Sequence, residues 1–274
     1  MKCPVILLHL LTLSKNKMFD FPETISNLTA YFLIFASMTT SFITSAFGIG
    51  GGAILLGLLA VKLPPVALLP IHGIVQIGSN LGRTIIFFKD IKKETLIPFT
   101  IGTIIGSIIG GSIFIQIEAW LLQLSISLFI LWSVYGKIPI IGSKQITIGG
   151  AFSGFMTMFF GASGPLVSGM VKTLNLEPVK HLATHSALMS IQHFIKVAVF
   201  GFVGFAYSEY FLLIFLMIIS GFAGTILGKK ILVKYGSKYF KLILNATLTI
   251  IAIYLLWNAI ITSKILDDLN LFAW

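Results

Sequence analysis

The chain is a succession of apolar runs separated by short polar breaks. The runs cover 28–47, 53–61, 66–88, 95–117, 119–136, 145–160, 165–174, 179–205, 209–228 and 240–262. A helix needs about 20 residues to cross the ~30 Å hydrocarbon core of a bilayer, and most of the runs approach or exceed that length. The runs 53–61 and 165–174 cover only about half of it. Each follows a glycine-rich turn, so they read as half-helices beside irregular backbone. The pattern predicts an all-α fold, a polytopic helical membrane protein. Pro4–Leu13 is too short to span. It reads either as a fragment of a signal-like segment or as sequence upstream of a start at Met18, and residues 1–27 stay unassigned.

Composition narrows the class further. The 274 residues are 57% hydrophobic and only 10% charged, with a mean hydropathy of +1.00. A soluble domain carries about a quarter charged residues, so this chain lacks the polar surface of a cytosolic enzyme, a nucleic-acid binder or a disordered protein. The net charge of +10 therefore concerns the bilayer and not nucleic acid. If all ten segments cross, one side collects Lys89, Lys92, Lys93, Lys137, Lys144, Lys172, Lys180, Lys229, Lys230, Lys234, Lys238 and Lys241. The other side collects Lys62 and Lys264, with Lys2, Lys15 and Lys17 in the N-terminal segment. The lysine-rich side is cytoplasmic by the positive-inside rule, and the N-terminus faces out. A single cysteine, Cys3, excludes an internal disulfide and a cysteine metal cage. No cofactor and no metal is expected.

A shift of 113 positions superposes the sequence on itself. Phe47-Gly48 falls on Phe160-Gly161, Gly51 on Gly164, Pro65-Val66 on Pro178-Val179, and His72 on His185. Ser107 falls on Ser220, Gly111 on Gly224, and Arg83 on Lys196, which keeps the charge. Each copy holds five segments, an odd number, so the second copy starts on the opposite side of the membrane. The organisation expected is a first membrane repeat over 28–136, a second over 137–264 and a tail over 265–274. Inverted repeats with broken helices are a secondary-transporter architecture, with the substrate site near the midplane where the halves meet.

The turns are Phe47-Gly48-Ile49-Gly50-Gly51-Gly52 and Phe160-Gly161-Ala162-Ser163-Gly164-Pro165. A backbone break at membrane depth is tolerated only where protein or a water-filled cavity covers it. The N–H groups at the start of each half-helix, with the positive end of its dipole, suit an anion. The competing reading is that these glycines only permit close helix packing.

Polar side chains sharpen the picture. His72, Gln76, Ser79, Asn80 and Arg83 fall on one helical stripe, and His185, Gln192, His193 and Lys196 on its counterpart, beside Thr184, Ser186 and Ser190. A Lys or Arg at membrane depth costs at least ~2.5 kcal/mol and usually faces a cavity or partner. Snorkelling to the headgroups is the alternative, easier for Arg83 than for Lys196. The nine acidic residues all fall in loops, at segment ends or in tails. An interior with cations, helix N-termini and hydroxyls but no carboxylate favours an anionic substrate, and leaves His as the internal proton carrier. The candidate substrate-binding residues are Gly48, Gly50, Gly51, Gly52, His72, Gln76, Asn80, Arg83, Gly161, Ser163, Gly164, His185, Gln192, His193 and Lys196. No catalytic residue is expected.

The duplicated span, the Phe-Gly-x-Gly-Gly-Gly turn, the short run and the Pro-initiated polar helix resemble the sulfite exporter TauE/SafE family of transporters. The resemblance covers about 30–115 and 143–230 and is carried by Gly48, Gly50, Gly51, Gly52, Pro65, Gly161, Gly164, Pro165 and Pro178. It implies a multi-pass transporter of the bacterial inner membrane for sulfite, sulfonates or related organic anions. The second turn departs from the glycine-rich form at Ala162, Ser163 and Pro165. The expected partners are a small anion and the lipid bilayer; a homo-oligomer is compatible with the sequence. Two other readings stand beside the carrier. Gly161-Ala162-Ser163-Gly164 looks like the nucleophile motif of an intramembrane serine protease, with His185 or His193 as base. An anion channel is the other.

Overall fold

The computed structural model describes residues 20–47, 50–114, 118–137, 142, 145–161, 163–232 and 238–263. The described residues form ten helices, one for each apolar run and in the same order. They are α1 (Asn27–Phe47), α2 (Gly51–Lys62), α3 (Pro65–Ile86), α4 (Leu96–Phe114), α5 (Ala119–Tyr135), α6 (Ile146–Phe160), α7 (Gly164–Lys172), α8 (Pro178–Phe202), α9 (Phe211–Leu232) and α10 (Lys238–Thr262). Residues 1–19 and the tail 265–274, about which the sequence makes its least specific statements, lie outside the described residues.

Local chemistry sets the boundaries. Proline opens α3 at Pro65 and α8 at Pro178, where its fixed φ and missing N–H do no harm. α1 ends at Phe47 and α6 at Phe160, α2 begins at Gly51 and α7 at Gly164, so these boundaries all repeat at the 113-residue offset. Only glycine relieves the two turns. Gly50 has φ +106° and Gly161 φ +71°, values that a side chain rarely adopts. A Cβ on Gly50 would also lie 2.6 Å from Leu244, and one on Gly161 2.6 Å from Leu69 and 2.7 Å from Leu56.

The strongest helix pairings run between the two halves of the chain. α1 packs on α9, and α6 on α4; α3 packs on α8, and α5 on α10. Exchanging the halves maps the first two pairs onto each other and the last two onto themselves. One apolar core therefore draws on both halves, from Leu33 of α1 and Leu56 of α2 to Leu213 of α9 and Leu255 of α10.

The α4–α6 seam is made by small residues. A Cβ on Gly102 or Gly106 would overlap the backbone carbonyl of Thr147 or Ala151. One on Gly150 would stand 2.5 Å from the Phe99 carbonyl. Thr103 and Ser107 donate across the seam to the Gly150 and Gly154 carbonyls, at 3.4 and 3.3 Å. In the equivalent pair, Ser37 and Ser45 of α1 donate to Met217 and Thr225 carbonyls of α9. With no apolar driving force between helices in lipid, such backbone approach and hydroxyl bonding supply the cohesion.

The distribution of polarity suits a bilayer. Isoleucines 97, 101, 104, 105, 108 and 109 of α4 are exposed. Among the largest fully buried side chains are Arg83 and Lys196. Four helical stretches are long and apolar enough to cross a membrane: Asn27–Phe47, Lys93–Ile113, Tyr207–Lys229 and Leu244–Thr262. The polar helices α3 and α8 pack on each other with their polar stripes buried.

Candidate functional site

The crossing of α3 and α8 places the polar stripes face to face. Gly73 permits the approach: a Cβ there would sit 2.7 Å from Lys196 Cε and 3.0 Å from Val197. Lys196 is fully buried. Its Nζ donates to the Gly161 carbonyl at 3.2 Å and lies 3.4 Å from His72 Nδ1. His72 Nε2 is 3.0 Å from the Gly52 carbonyl. The tautomer that satisfies both contacts carries its proton on Nε2, donates to Gly52 and accepts from Lys196. A cation of the second half, a histidine of the first and one backbone carbonyl from each glycine turn thus form a single chain of contacts.

Each half-helix is held by the histidine of its own half. His185 Nε2 lies 3.2 Å from the Gly164 carbonyl, as His72 does from that of Gly52. The second turn has an added latch. Ser163 Oγ donates to Gln192 Oε1, and Gln192 Nε2 donates to Ser153 Oγ at 2.9 Å. Ser163 makes no side-chain cap bond to α7, and its hydroxyl is engaged with an amide rather than a histidine. That arrangement gives Ser163 no general base and speaks against the protease chemistry.

Arg83 is 2% exposed and does not reach for the headgroups. Its guanidinium donates to Ser186 Oγ (3.2 Å), Ser79 Oγ (3.0 Å) and Asn80 Oδ1 (2.8 Å). All three are neutral acceptors, and among the described residues no carboxylate pairs with it. Asn80 donates in turn to the Gln76 carbonyl at 2.8 Å, and the Gln76 amide nitrogen lies 3.3 Å from His72 Nε2.

A cavity of about 580 Å³ lies against this network. Of the candidates named from the sequence, Gly50, Gly52, His72, Gln76, Asn80, Arg83, Gly164, His185 and His193 line it. The first turns of α2 and α7 both face it, at Gly52-Ala53 and Gly164-Pro165. Gly51, Gly161, Ser163, Gln192 and Lys196 stand one layer behind. Gly51 is packed against α1, where a Cβ would overlap the Thr40 carbonyl. Gly48 lies outside the described residues.

Other lining residues were not singled out from the sequence. Ser168, Gly169 and Lys172 come from α7, Ser133 from α5, and Leu244 and Asn245 from α10. The α7 residues carried a readable signal, a small polar face in a short run. Asn245 sits alone in an otherwise lipid-like stretch and carried almost none. Among the described lining residues, only Gly136 and Lys172 are exposed. The cavity therefore reaches the surface where α5 ends, α10 begins and α7 ends, which is the lysine-rich side. Among the described residues its lining holds the cations Arg83 and Lys172 and no Asp or Glu. No group of His, Cys, Asp and Glu with metal-holding geometry occurs among the described residues. Taken together, the surface offers positive charge, amide N–H groups at two half-helix starts, and neutral hydrogen-bonding side chains. Such a lining is chemically suited to an anion.

A family model described as Sulfite exporter TauE/SafE matches residues 33–255. No curated protein and no solved structure matches the chain.

Proposed function

The chain belongs to the sulfite exporter TauE/SafE family of membrane transporters, and from that premise we propose that it is a secondary carrier of a small sulfur-containing or organic anion. Sulfite and short sulfonates are the leading substrates. The observation that carries this reading is Arg83: a buried cation that lines the cavity with only neutral partners. A buried charge without a counter-charge is strongly destabilising, and an anion in the cavity supplies one. Gly52, Gly164, Asn80 and His185 complete the proposed binding surface, with Lys196 setting the position of His72 and of the Gly161 turn.

The cross-half pairing of helices and the shared 113-residue offset of the boundaries support two inverted repeats, 28–136 and 137–264. Alternating access follows from such a pair, because the halves can exchange conformations and expose one site to either side. A cavity that reaches the surface at one end supports a carrier over a channel. By the charge rule that end is cytoplasmic, in a bacterial inner membrane.

The test is thermal stabilisation of the purified protein by a panel of sulfite, methanesulfonate, sulfate and acetate, followed by flux in proteoliposomes. Wild type is expected to be stabilised by at least one sulfur oxyanion and to move it, and Arg83→Gln to lose both. Normal anion flux by Arg83→Gln overturns the proposed site. Discrete unitary currents in a planar bilayer would replace the carrier with a channel.

A further inference from the structure

Two histidines of the cavity hold half-helix carbonyls, and a third holds nothing. His193 stands on α8 one turn before Lys196, is 1% exposed and lines the cavity. Its Nδ1 is buried with no hydrogen-bond partner among the described residues. Its ring meets that of His72 edge-on, with centroids 5.6 Å apart. A buried polar nitrogen left unmatched is costly, and a native fold retains one where something else completes it. Here the nitrogen itself is sealed while the ring lines the cavity, so a charge on the ring is felt by whatever the cavity takes up.

His72 is not available for this role, since its two ring nitrogens are occupied by Gly52 and Lys196. His185 has Nε2 committed to the Gly164 carbonyl. The groups around His193 decide what its free nitrogen can do. α3 contributes His72 and Arg83, α8 itself contributes Lys180, His181, His185 and Lys196, and α7 contributes Lys172. The short turn Phe88–Asp90, which also packs on α8, carries Lys89 and Asp90. α4 and α6 carry no titratable side chain. Asp90 does not line the cavity, whose described charged residues are cationic, and a proton added to His193 alone would place one more positive charge among these groups. An anion in the cavity reverses the sign. It supplies the imidazolium with the missing counter-charge. Proton and anion then favour each other's binding, and by linkage the effect is reciprocal.

Building on the anion-carrier reading, we propose that His193 is the proton site of anion–proton cotransport. The cavity loads one anion and one proton together. The proton comes from water on the open side and binds the His193 ring as the anion takes its place in the cavity beside it. Both leave on the other side, no covalent bond is made or broken, and a monoanion crosses with no net charge.

The experiment uses the full-length protein in proteoliposomes with an internal pH dye, and methanesulfonate as the probe. This anion stays fully ionised at every usable pH, so any proton moved with it is carried by the protein. The expected wild-type result is proton movement with methanesulfonate in a one-to-one ratio. An imposed difference of one pH unit should then accumulate methanesulfonate about tenfold, and a potassium–valinomycin potential should have no effect. His193→Gln keeps an amide for hydrogen bonding but takes no proton. It is expected to lose the response to pH difference, and with it the strengthening of methanesulfonate-dependent thermal stabilisation as pH falls. Wild-type flux that leaves internal pH unchanged and follows the membrane potential overturns the proposal, whether or not the variant folds. So does a His193→Gln protein still driven by the pH difference. A wild-type protein that neither binds nor moves any anion of the panel overturns the carrier reading itself, which is a distinct result.

Discussion

Arg83 and Lys196 fall on each other when the sequence is shifted, yet they hold different things. Arg83 faces the cavity through a fork of three neutral acceptors. Lys196 does not line it and ties His72 to the Gly161 carbonyl. The two should therefore fail differently. Arg83→Met removes the charge that meets the substrate and is expected to weaken anion binding by about 2–5 kcal/mol. Lys196→Met disturbs a neighbour of the site and should weaken binding at least tenfold less. Titration of both variants with sulfite checks this, and equal losses would put Lys196 in direct contact with the anion. At this scale the sequence spoke clearly wherever a polar residue interrupted an apolar run, because lipid makes such a residue costly. It could not say which side of α8 Lys196 would turn to. A helical stripe spans a wide arc, and the close crossing at Gly73 decides which part of it meets the cavity.

The two glycine turns are the elements on which the site stands, and they are secured unequally. In the second, Ser163, Gln192 and Ser153 form a hydrogen-bonded latch between the turn, α8 and α6. The equivalent of Ser163 in the first is Gly50, which has no side chain to offer. Backbone conformation at the second turn is equally particular. Gly161→Ala imposes an unfavourable φ, costing about 1–3 kcal/mol, and drives a methyl into Leu56 and Leu69. Gly164→Ala, three residues on, meets open space. The expected outcome is a clearly lower melting temperature in detergent for the first variant and little change for the second. Similar melting temperatures for both would deny the turn its structural role. Helix existence and order were legible throughout, since ten apolar runs became ten helices. Boundaries at Pro65, Pro178, Gly51 and Gly164 were legible because proline and glycine act locally. The latch was not, since Ser153 reads as one more small residue on a packed helix until α8 is laid beside it.

Across the whole molecule, the cavity draws on α1, α2, α3, α5, α7, α8 and α10, and among its described lining residues Gly136 and Lys172 are exposed. Sidedness can be measured directly. In a background with Cys3→Ser, Asn245→Cys is expected to react with a membrane-impermeant maleimide from the lysine-rich side, and to be protected by a bound anion. Labelling from the opposite side alone would reverse the orientation assigned from the lysine count. The contribution of α5 and α10 is the part of the site that the chain concealed. Their runs look like lipid-facing spans, and only the pairing of α5 with α10 turns Ser133, Leu244 and Asn245 inward.

The α4–α6 seam bears on how such a molecule can move. Where glycine lets one main chain rest on another, few side chains stand between the partners, and those that do are short hydroxyls tied to the opposite main chain. The pair cannot hinge along its contact line, and the same holds for α1 with α9. Each pair behaves as a single stiff beam built from one helix of either half, so shape changes are confined to the joints between beams, where α2 and α7 sit.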